Sequence, residues 1–63
     1  MRIYEFHFFD GDDRRPLLDF FDGADDETAI RVAVQRLAQH ASCHGVEVFE
    51  GDRLVARLEG PEI

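Results

Sequence analysis

The chain has 63 residues, and a domain of this size buries only about 60% of the surface that its unfolded chain exposes. Fourteen acidic and seven basic residues give a formal charge of −7, which disfavours binding to nucleic-acid phosphates and to anionic membranes. The hydrophobic content of 44% is typical of a globular protein and argues against a disordered chain.

The first elements are predicted to be two strands. Residues 2–9 alternate in polarity and are rich in aromatic and β-branched side chains, which predicts strand 1. Residues 10–13, DGDD, are typical of a turn because Asp and Gly tolerate the backbone angles of turns. Residues 16–21 predict strand 2, beginning at Pro16, where the missing N–H does least harm. Residues 22–23 are expected to end this hairpin.

A helix is predicted next. Residues 24–28, ADDET, predict its start, with Asp25 as the N-cap and an acidic first turn that complements the helix dipole. Polar residues, Arg36 among them, are expected to face away from the sheet, and Gly45 is expected to cap the end of the helix. Apolar residues at spacings of three and four predict one apolar face, formed by Ile30, Ala33, Val34, Leu37, Ala38 and Ala41.

Residues 46–50 and 53–59 predict strands 3 and 4, and Gly51-Asp52 between them predicts a tight two-residue hairpin. The predicted fold is therefore α+β, with a ββαββ order, a four-stranded antiparallel sheet of order 2-1-3-4, and one helix packed on one face. An arrangement with strands 1 and 4 at the centre is the alternative. Residues 1–63 are expected to form a single domain.

The strands carry more large apolar side chains than one helix can cover. The residues expected to face the helix are Tyr4, Phe6, Phe8, Val46, Val48, Leu54, Ala56 and Leu58. The other face then carries Glu5, His7 and Arg57 together with Ile3, Phe9, Phe49, Val55 and one of Phe20 or Phe21. Several large apolar residues on one exposed face are typical of an interface. We therefore expect Ile3, Phe9, Phe49 and Val55 to mediate self-association, most simply as a homodimer.

Residues 40–45, HASCHG, contain two of the three histidines and the only cysteine. In a helix extending to residue 44, His40, Cys43 and His44 would lie close together, and these residue types bind zinc. A fourth ligand is not apparent, because His7 belongs to the face turned away from the helix. Histidines in a last helical turn also interact favourably with the negative end of the dipole. We therefore expect an ordinary helix end, with a metal site at these three residues as the alternative.

No catalytic residues and no cofactor are expected. Nucleophilic catalysis by Cys43 needs a base, an orienting group and an oxyanion pocket, and no orienting group is apparent. The acidic turns at residues 10–13 and 22–26 do not fit the spacing of a calcium-binding loop. These carboxylates are therefore interpreted as turn-forming, helix-capping and solubilising groups.

Three motifs extend over nearly the whole chain: Tyr4-x-Phe6-x-Phe8 leading to Asp10-Gly11, then Ala24-Asp25-Asp26-Glu27-x-Ala29-Ile30, then Glu47-Val48-Phe49-x-Gly51-x-Arg53-x-Val55-x-x-Leu58. With them the chain resembles small uncharacterised ββαββ proteins of alphaproteobacteria, in which the third strand commonly carries an aromatic residue after Glu-Val, as Phe49 does here. The resemblance implies a short stand-alone ββαββ unit and supplies no catalytic residues. Residues 40–45 are not part of it.

Taken together, these features predict a non-enzymatic protein–protein interaction module. Its expected partner is a second copy of itself, or another protein, contacted through the outer sheet face or an edge strand. Pairing at an edge is considered because neither edge carries the lysine or internal proline that hinders it. The alternative is a small-ligand or metal-binding protein that uses His40, Cys43 and His44 or a pocket at the oligomer interface. No nucleic-acid or membrane partner is expected.

The expected location is the cytoplasm. One cysteine rules out a disulfide within the chain, and a lone thiol suits a reducing compartment. No apolar run approaches the about 20 residues that span a bilayer, and the N-terminus lacks the apolar core of a signal peptide. We therefore expect a complete cytoplasmic protein that gains stability by oligomerisation.

Overall fold

A computed structural model describes residues 2–12, 14–40 and 42–60. Its four strands, counted in chain order, form one antiparallel sheet in the order 2-1-3-4, with a helix packed on one face. The predicted α+β fold and strand order are confirmed, and the alternative with strands 1 and 4 at the centre is wrong. In chain order the elements are β1 (Arg2–Phe9), β2 (Leu17–Gly23), α1 (Asp26–Ala38), β3 (Gly45–Glu50) and β4 (Arg53–Glu59). No helix in the described part of the chain is long and apolar enough to cross a membrane.

Both hairpins use the predicted turn residues. The Asp10 carboxylate accepts hydrogen bonds from the backbone N–H groups of Asp12 at 2.9 Å and Arg14 at 3.0 Å, which shapes the loop between β1 and β2. Asp13, part of the predicted acidic turn, lies outside the described residues. Between β3 and β4, Gly51 has a positive φ of 60°, a value that a two-residue hairpin turn requires and that glycine adopts without strain.

The start of α1 matches the prediction. Asp25 is the N-cap, and its carboxylate accepts a hydrogen bond of 2.8 Å from the Thr28 N–H. Hydrogen bonding by the Thr28 side chain, and then by its N–H, lowers the pKa of Asp25. The next residue, Asp26, connects the helix to the sheet through side-chain hydrogen bonds. Its carboxylate accepts hydrogen bonds from the Arg53 guanidinium at 2.9 and 3.1 Å and from the Tyr4 hydroxyl at 2.8 Å. These bonds, with Arg53 foremost, lower the pKa of Asp26.

The helix ends earlier than predicted. It stops at Ala38 with Gln39 as the C-cap, and Ala41, expected on its apolar face, lies outside the described residues. The prediction that Gly45 caps the helix is wrong, because Gly45 is the first residue of β3. A Cβ atom at Gly45 would collide with the ring of Phe9 and with the carbonyl oxygen of Leu58. Close packing within the sheet, not helix termination, explains this glycine.

Small residues of α1 face the sheet. Ala29 and Ala33 are fully buried, because the aromatic rings of β1 already fill the space between the two layers. Arg36 was predicted on the opposite side of the helix, and that prediction is wrong. Its guanidinium carbon lies 5.4 and 5.7 Å from the ring centroids of Phe6 and Phe21, where a planar cation stacks favourably on aromatic faces.

The core lies between α1 and one face of the sheet. Phe21 pairs with Tyr4 and packs against this core, whereas its neighbour Phe20 points to the other face and is 58% exposed. The choice between these two phenylalanines was left open by the sequence, and strand register decides it. The buried core residues are Tyr4, Phe6, Phe8, Ala29, Ala33, Val46 and Val48.

A β-bulge changes the orientation of residues at the start of β4. Val48 pairs with Ala56, but Phe49 pairs with Leu54, so Val55 is an extra residue in the register. Leu54 therefore lies on the sheet face opposite the helix and is half exposed, while Val55 packs against the core. The predicted placement of Leu54 towards the helix and of Val55 on the opposite face is wrong.

Candidate interaction surface

The sheet face opposite α1, called here the outer face, carries side chains from all four strands. Within residues 2–12, 14–40 and 42–60, no helix or strand covers it. Strand register arranges its centre in two rows across the sheet. The polar row consists of Leu18, His7, Glu47 and Arg57, and the apolar row consists of Phe20, Glu5, Phe49 and Leu54.

The apolar row and its neighbour Ile3 form an exposed apolar patch. Ile3 is 56% exposed, Phe20 58% and Leu54 50%, and Phe49 is partly buried beside them. Leu18 of the polar row adds a further exposed side chain. Ile3 and Phe49 were predicted on this face. Leu18 shares the alternation of Phe20 and was therefore predictable, whereas Leu54 depends on the bulge and was not.

Phe9 points to the outer face as predicted, but it is already covered within the chain. Only 1% of it is exposed. The guanidinium carbon of Arg57 lies 4.1 Å from its ring centroid, and the ring of His44 lies 6.2 Å away. A cation over an aromatic face is a favourable contact. Phe9 therefore stabilises the sheet and presents almost no surface to a partner.

A nearly buried ion-pair cluster occupies the polar row. Glu47 is 8% exposed; its Oε1 accepts hydrogen bonds from Arg15 at 2.8 and 3.1 Å, and its Oε2 accepts one from Arg57 at 2.8 Å. The Arg15 guanidinium, assisted by Arg57, holds the pKa of Glu47 below its usual range. Alternation in the sequence does not predict this cluster, because Arg15 lies in the loop after β1 and loop geometry cannot be inferred from alternation.

These lowered pKa values predict acid sensitivity. Because the carboxyls of Asp25, Asp26 and Glu47 have lower pKa values in the folded chain, their contribution to stability is present above their unfolded pKa values. It is lost as pH falls from about 4, where the unfolded chain takes up protons, through the lower pKa values of the folded chain. Urea unfolding followed by circular dichroism between about pH 6 and about pH 3 should show a falling free energy of unfolding.

The variant Glu47→Gln tests the origin of this sensitivity. It should cost roughly 1–3 kcal/mol near neutral pH, since it removes the charge that binds two arginines. The loss of stability towards low pH should become smaller than in the wild-type chain. Asp12→Asn, at an exposed turn position, is the matched control. Equal pH profiles for all three proteins would assign the acid sensitivity to other carboxyls.

Glu5 and His7 form a second polar pair on the outer face. His7 Nε2 lies 3.1 Å from Glu5 Oε1, and the His7 ring meets the Phe49 ring edge-on with 4.9 Å between centroids. The pair lies in an open depression of about 460 Å³, whose other lining residues are Arg15, Glu47, Phe49, Gly51 and Asp52. This depression lies within the outer face and joins the polar row to the apolar row.

The structure places the three residues of the alternative metal site, His40, Cys43 and His44, in different surroundings. The His40 ring lies against Phe8 on the helix side of the sheet, with 5.0 Å between centroids, whereas His44 lies beside Phe9 on the outer side. Cys43 packs against the core. Because the helix ends before these residues, helical spacing does not bring them together. Among the described residues, no three His, Cys, Asp or Glu side chains are grouped to hold a metal ion.

Both edges of the sheet have features that obstruct the addition of another strand. At the β2 edge, the Phe20 carbonyl accepts a hydrogen bond of 3.1 Å from Arg36, and the Phe20 N–H donates one of 3.0 Å to the Asp19 carboxylate. Arg36 and Asp19 also bind each other at 2.6 Å. At the β4 edge, the bulge at Val55 disturbs the regular ladder. The sheet edges are therefore less suited to pairing than the absence of lysine and proline suggested.

Comparisons with protein-family models, with curated proteins and with solved structures found no match to this chain. The outer face is the surface on which a function can be argued.

Proposed function

We propose that this protein is a non-enzymatic interaction module that forms a homodimer by packing the outer faces of two copies against each other. The supporting observation is the exposure of Phe20, Leu54 and Ile3 on a single sheet face. Removing such apolar surface from water contributes about 25 cal/mol per Å². The single helix covers only one face of the sheet, so a partner is needed to bury the apolar residues of the other face.

The size of the outer face suits a modest interface. Four strands spaced about 4.8 Å apart and about seven residues rising about 3.3 Å each make a face of roughly 20 by 23 Å. Two such faces bury roughly 900 Å² between them, close to the about 1,000 Å² that a specific interface needs. The dimer is therefore expected to be concentration-dependent.

Two further observations favour pairing of faces over pairing of edges. Backbone groups of Phe20 at the β2 edge are held by Arg36 and Asp19, and a bulge interrupts β4. On the face itself, the Glu47 carboxylate is hydrogen-bonded to both Arg15 and Arg57. A partner that covers this cluster meets paired charges, which lowers the desolvation penalty.

We place the homodimer in the cytoplasm, because a lone thiol suits a reducing compartment. The charge of −7 supports a protein partner rather than nucleic acid or an anionic membrane. A second candidate function is small-ligand binding in the depression lined by Glu5, His7 and Phe49, which a second copy would close. Because the depression is open in a single chain, we favour the interface over small-ligand binding as the function of this face.

The variant Phe20→Glu tests the proposed interface. It places a charge within the exposed patch and should weaken the dimer at least about 30-fold, as expected for a residue worth about 2 kcal/mol at an interface. Sedimentation equilibrium over a range of protein concentrations measures the dissociation constant. The wild-type chain should approach twice its monomer mass at high micromolar concentration.

Val34→Glu is the matched control. Val34 is 50% exposed like the interface residues, but it lies on α1, away from the outer face. This variant should dimerise as the wild-type chain does. A wild-type monomer at high micromolar concentration, or a Phe20→Glu dimer as tight as the Val34→Glu dimer, would overturn the proposal.

A further inference from the structure

Glu5 is the charged member of the apolar row. Register places it directly between Phe20 of β2 and Phe49 of β3, with Leu54 beyond. Its side chain is 36% exposed, so water solvates the carboxylate in a single copy. A partner that covers the apolar row removes this water, and a carboxylate without water or a cation is strongly destabilised.

Symmetry increases this effect. In a two-fold dimer both copies use the same patch, so residues near the axis face their own counterparts. The patch extends to both sides of Glu5, with Phe20 on one side and Phe49 and Leu54 on the other. An axis through the centre of the patch therefore brings the two Glu5 carboxylates close together. Adjacent carboxylates do not both remain charged without a large penalty.

His7 is the group that contacts Glu5, at 3.1 Å. A histidine becomes cationic within the range of about pH 8 to about pH 5. Glu47 binds both arginines that lie near the pair, so these cations are already engaged with a carboxylate. The other charged groups facing the pair are Asp22 of β2, Glu47 of β3, Arg57 of β4, Arg15 of the first loop and Asp52 of the second hairpin.

We propose that dimerisation through the outer face is coupled to proton uptake by the Glu5–His7 pair, so that the dimer becomes tighter as pH falls from about 8 to about 6. The inference rests on the proposed function. A proton on His7 and a proton shared by the two Glu5 carboxylates have the same effect, since each removes net charge from the buried centre. By linkage, the dissociation constant falls by about tenfold per pH unit for each proton taken up.

The experiment compares dissociation constants of the full chain at about pH 8 and about pH 6, both with a metal chelator present. Sedimentation equilibrium should give a wild-type dimer at least about tenfold tighter at the lower pH. Glu5→Gln keeps the size of the side chain and removes its charge. This variant should dimerise about equally at both pH values, and at about pH 8 at least about tenfold more tightly than the wild-type chain.

Asp52→Asn is the matched control, because it removes a carboxylate from the rim of the same depression and leaves Glu5 in place. It should retain the pH dependence of the wild-type chain. A wild-type dimer of equal affinity at both pH values, or a Glu5→Gln dimer no tighter than wild type, overturns the coupling and leaves the proposed dimer intact. In a parallel series without chelator, tightening that the chelated samples lack assigns the pair to a divalent cation and also overturns the coupling. A wild-type chain that stays monomeric at high micromolar concentration at both pH values overturns both proposals.

Discussion

Replacement of Phe6 by alanine should cost about 3–5 kcal/mol of folding free energy, the range measured for deletion of buried aromatic side chains. Phe6 is fully buried at the centre of β1. Its ring lies 5.9 Å from that of Phe21 in a stacked arrangement and 6.5 Å from that of Phe8 in an edge contact. The guanidinium carbon of Arg36 lies 5.4 Å from the centroid of the Phe6 ring. Truncation therefore leaves a cavity and removes the surface on which Arg36 stacks.

The effect is large relative to the whole stability of such a chain. Natural domains are stable by about 0.05–0.15 kcal/mol per residue, or roughly 3–9 kcal/mol for a chain of this length. Phe6→Ala is thus expected to leave a population that is partly or largely unfolded at room temperature. Urea unfolding followed by far-ultraviolet circular dichroism measures the change.

Phe20→Ala is the control for this prediction. It removes the same atoms from a side chain that is 58% exposed on the outer face. At protein concentrations below the dissociation constant of the dimer it should cost less than about 1 kcal/mol, as surface substitutions usually do. Equal losses for Phe6→Ala and Phe20→Ala would contradict the assignment of the two faces.

Substitution of Gly45 by alanine should destabilise the fold by about 1–3 kcal/mol, because it overpacks a filled site. The added methyl group would meet the Leu58 carbonyl oxygen and the Phe9 ring. A flexible side chain could move aside, but the carbonyl belongs to the paired backbone of β4. The sheet must therefore shift at the point where Arg57 covers Phe9.

Thermal unfolding provides a sensitive measurement, since about 1 kcal/mol shifts the midpoint of a small domain by about 4–8 °C. Gly11→Ala is the matched control: a methyl group there meets no atom within 4 Å, and its backbone does not require a positive φ. This variant should unfold within a few degrees of the wild-type chain. A Gly45→Ala midpoint as high as that of Gly11→Ala would mean that β3 and β4 do not approach as closely as described.

The packing at Gly45 also bears on the outer face. Phe9, which fills the space above Gly45, is covered by Arg57, and Arg57 in turn binds Glu47. This chain of contacts covers the end of the sheet next to the loop after β1, and it leaves the apolar row as the exposed part. The same arginine therefore removes one phenylalanine from the surface and balances the charge beside the proposed interface.

Much of the fold follows from local patterns in the sequence. Alternation in residues 2–9 identified β1 and its helix-facing residues Tyr4, Phe6 and Phe8. Asp25 identified the start of α1, and Gly51 identified the second hairpin turn. Each of these features depends on contacts between residues close in the chain, such as a capping hydrogen bond or a backbone angle, so the residue types themselves determine them. Residue types alone also show that the strands carry more large apolar side chains than one helix can cover.

Other features depend on residues far apart in the chain, and only the tertiary structure decided them. The bulge at Val55 arises from the pairing of β3 with β4 and exchanges the faces of Leu54 and Val55. The position of Arg36 over Phe6 is set by the fit of α1 onto rings contributed by the sheet. Alternation and helical periodicity describe one element at a time. They cannot show how the elements fit together, and that fit decides which apolar residues remain exposed on the outer face.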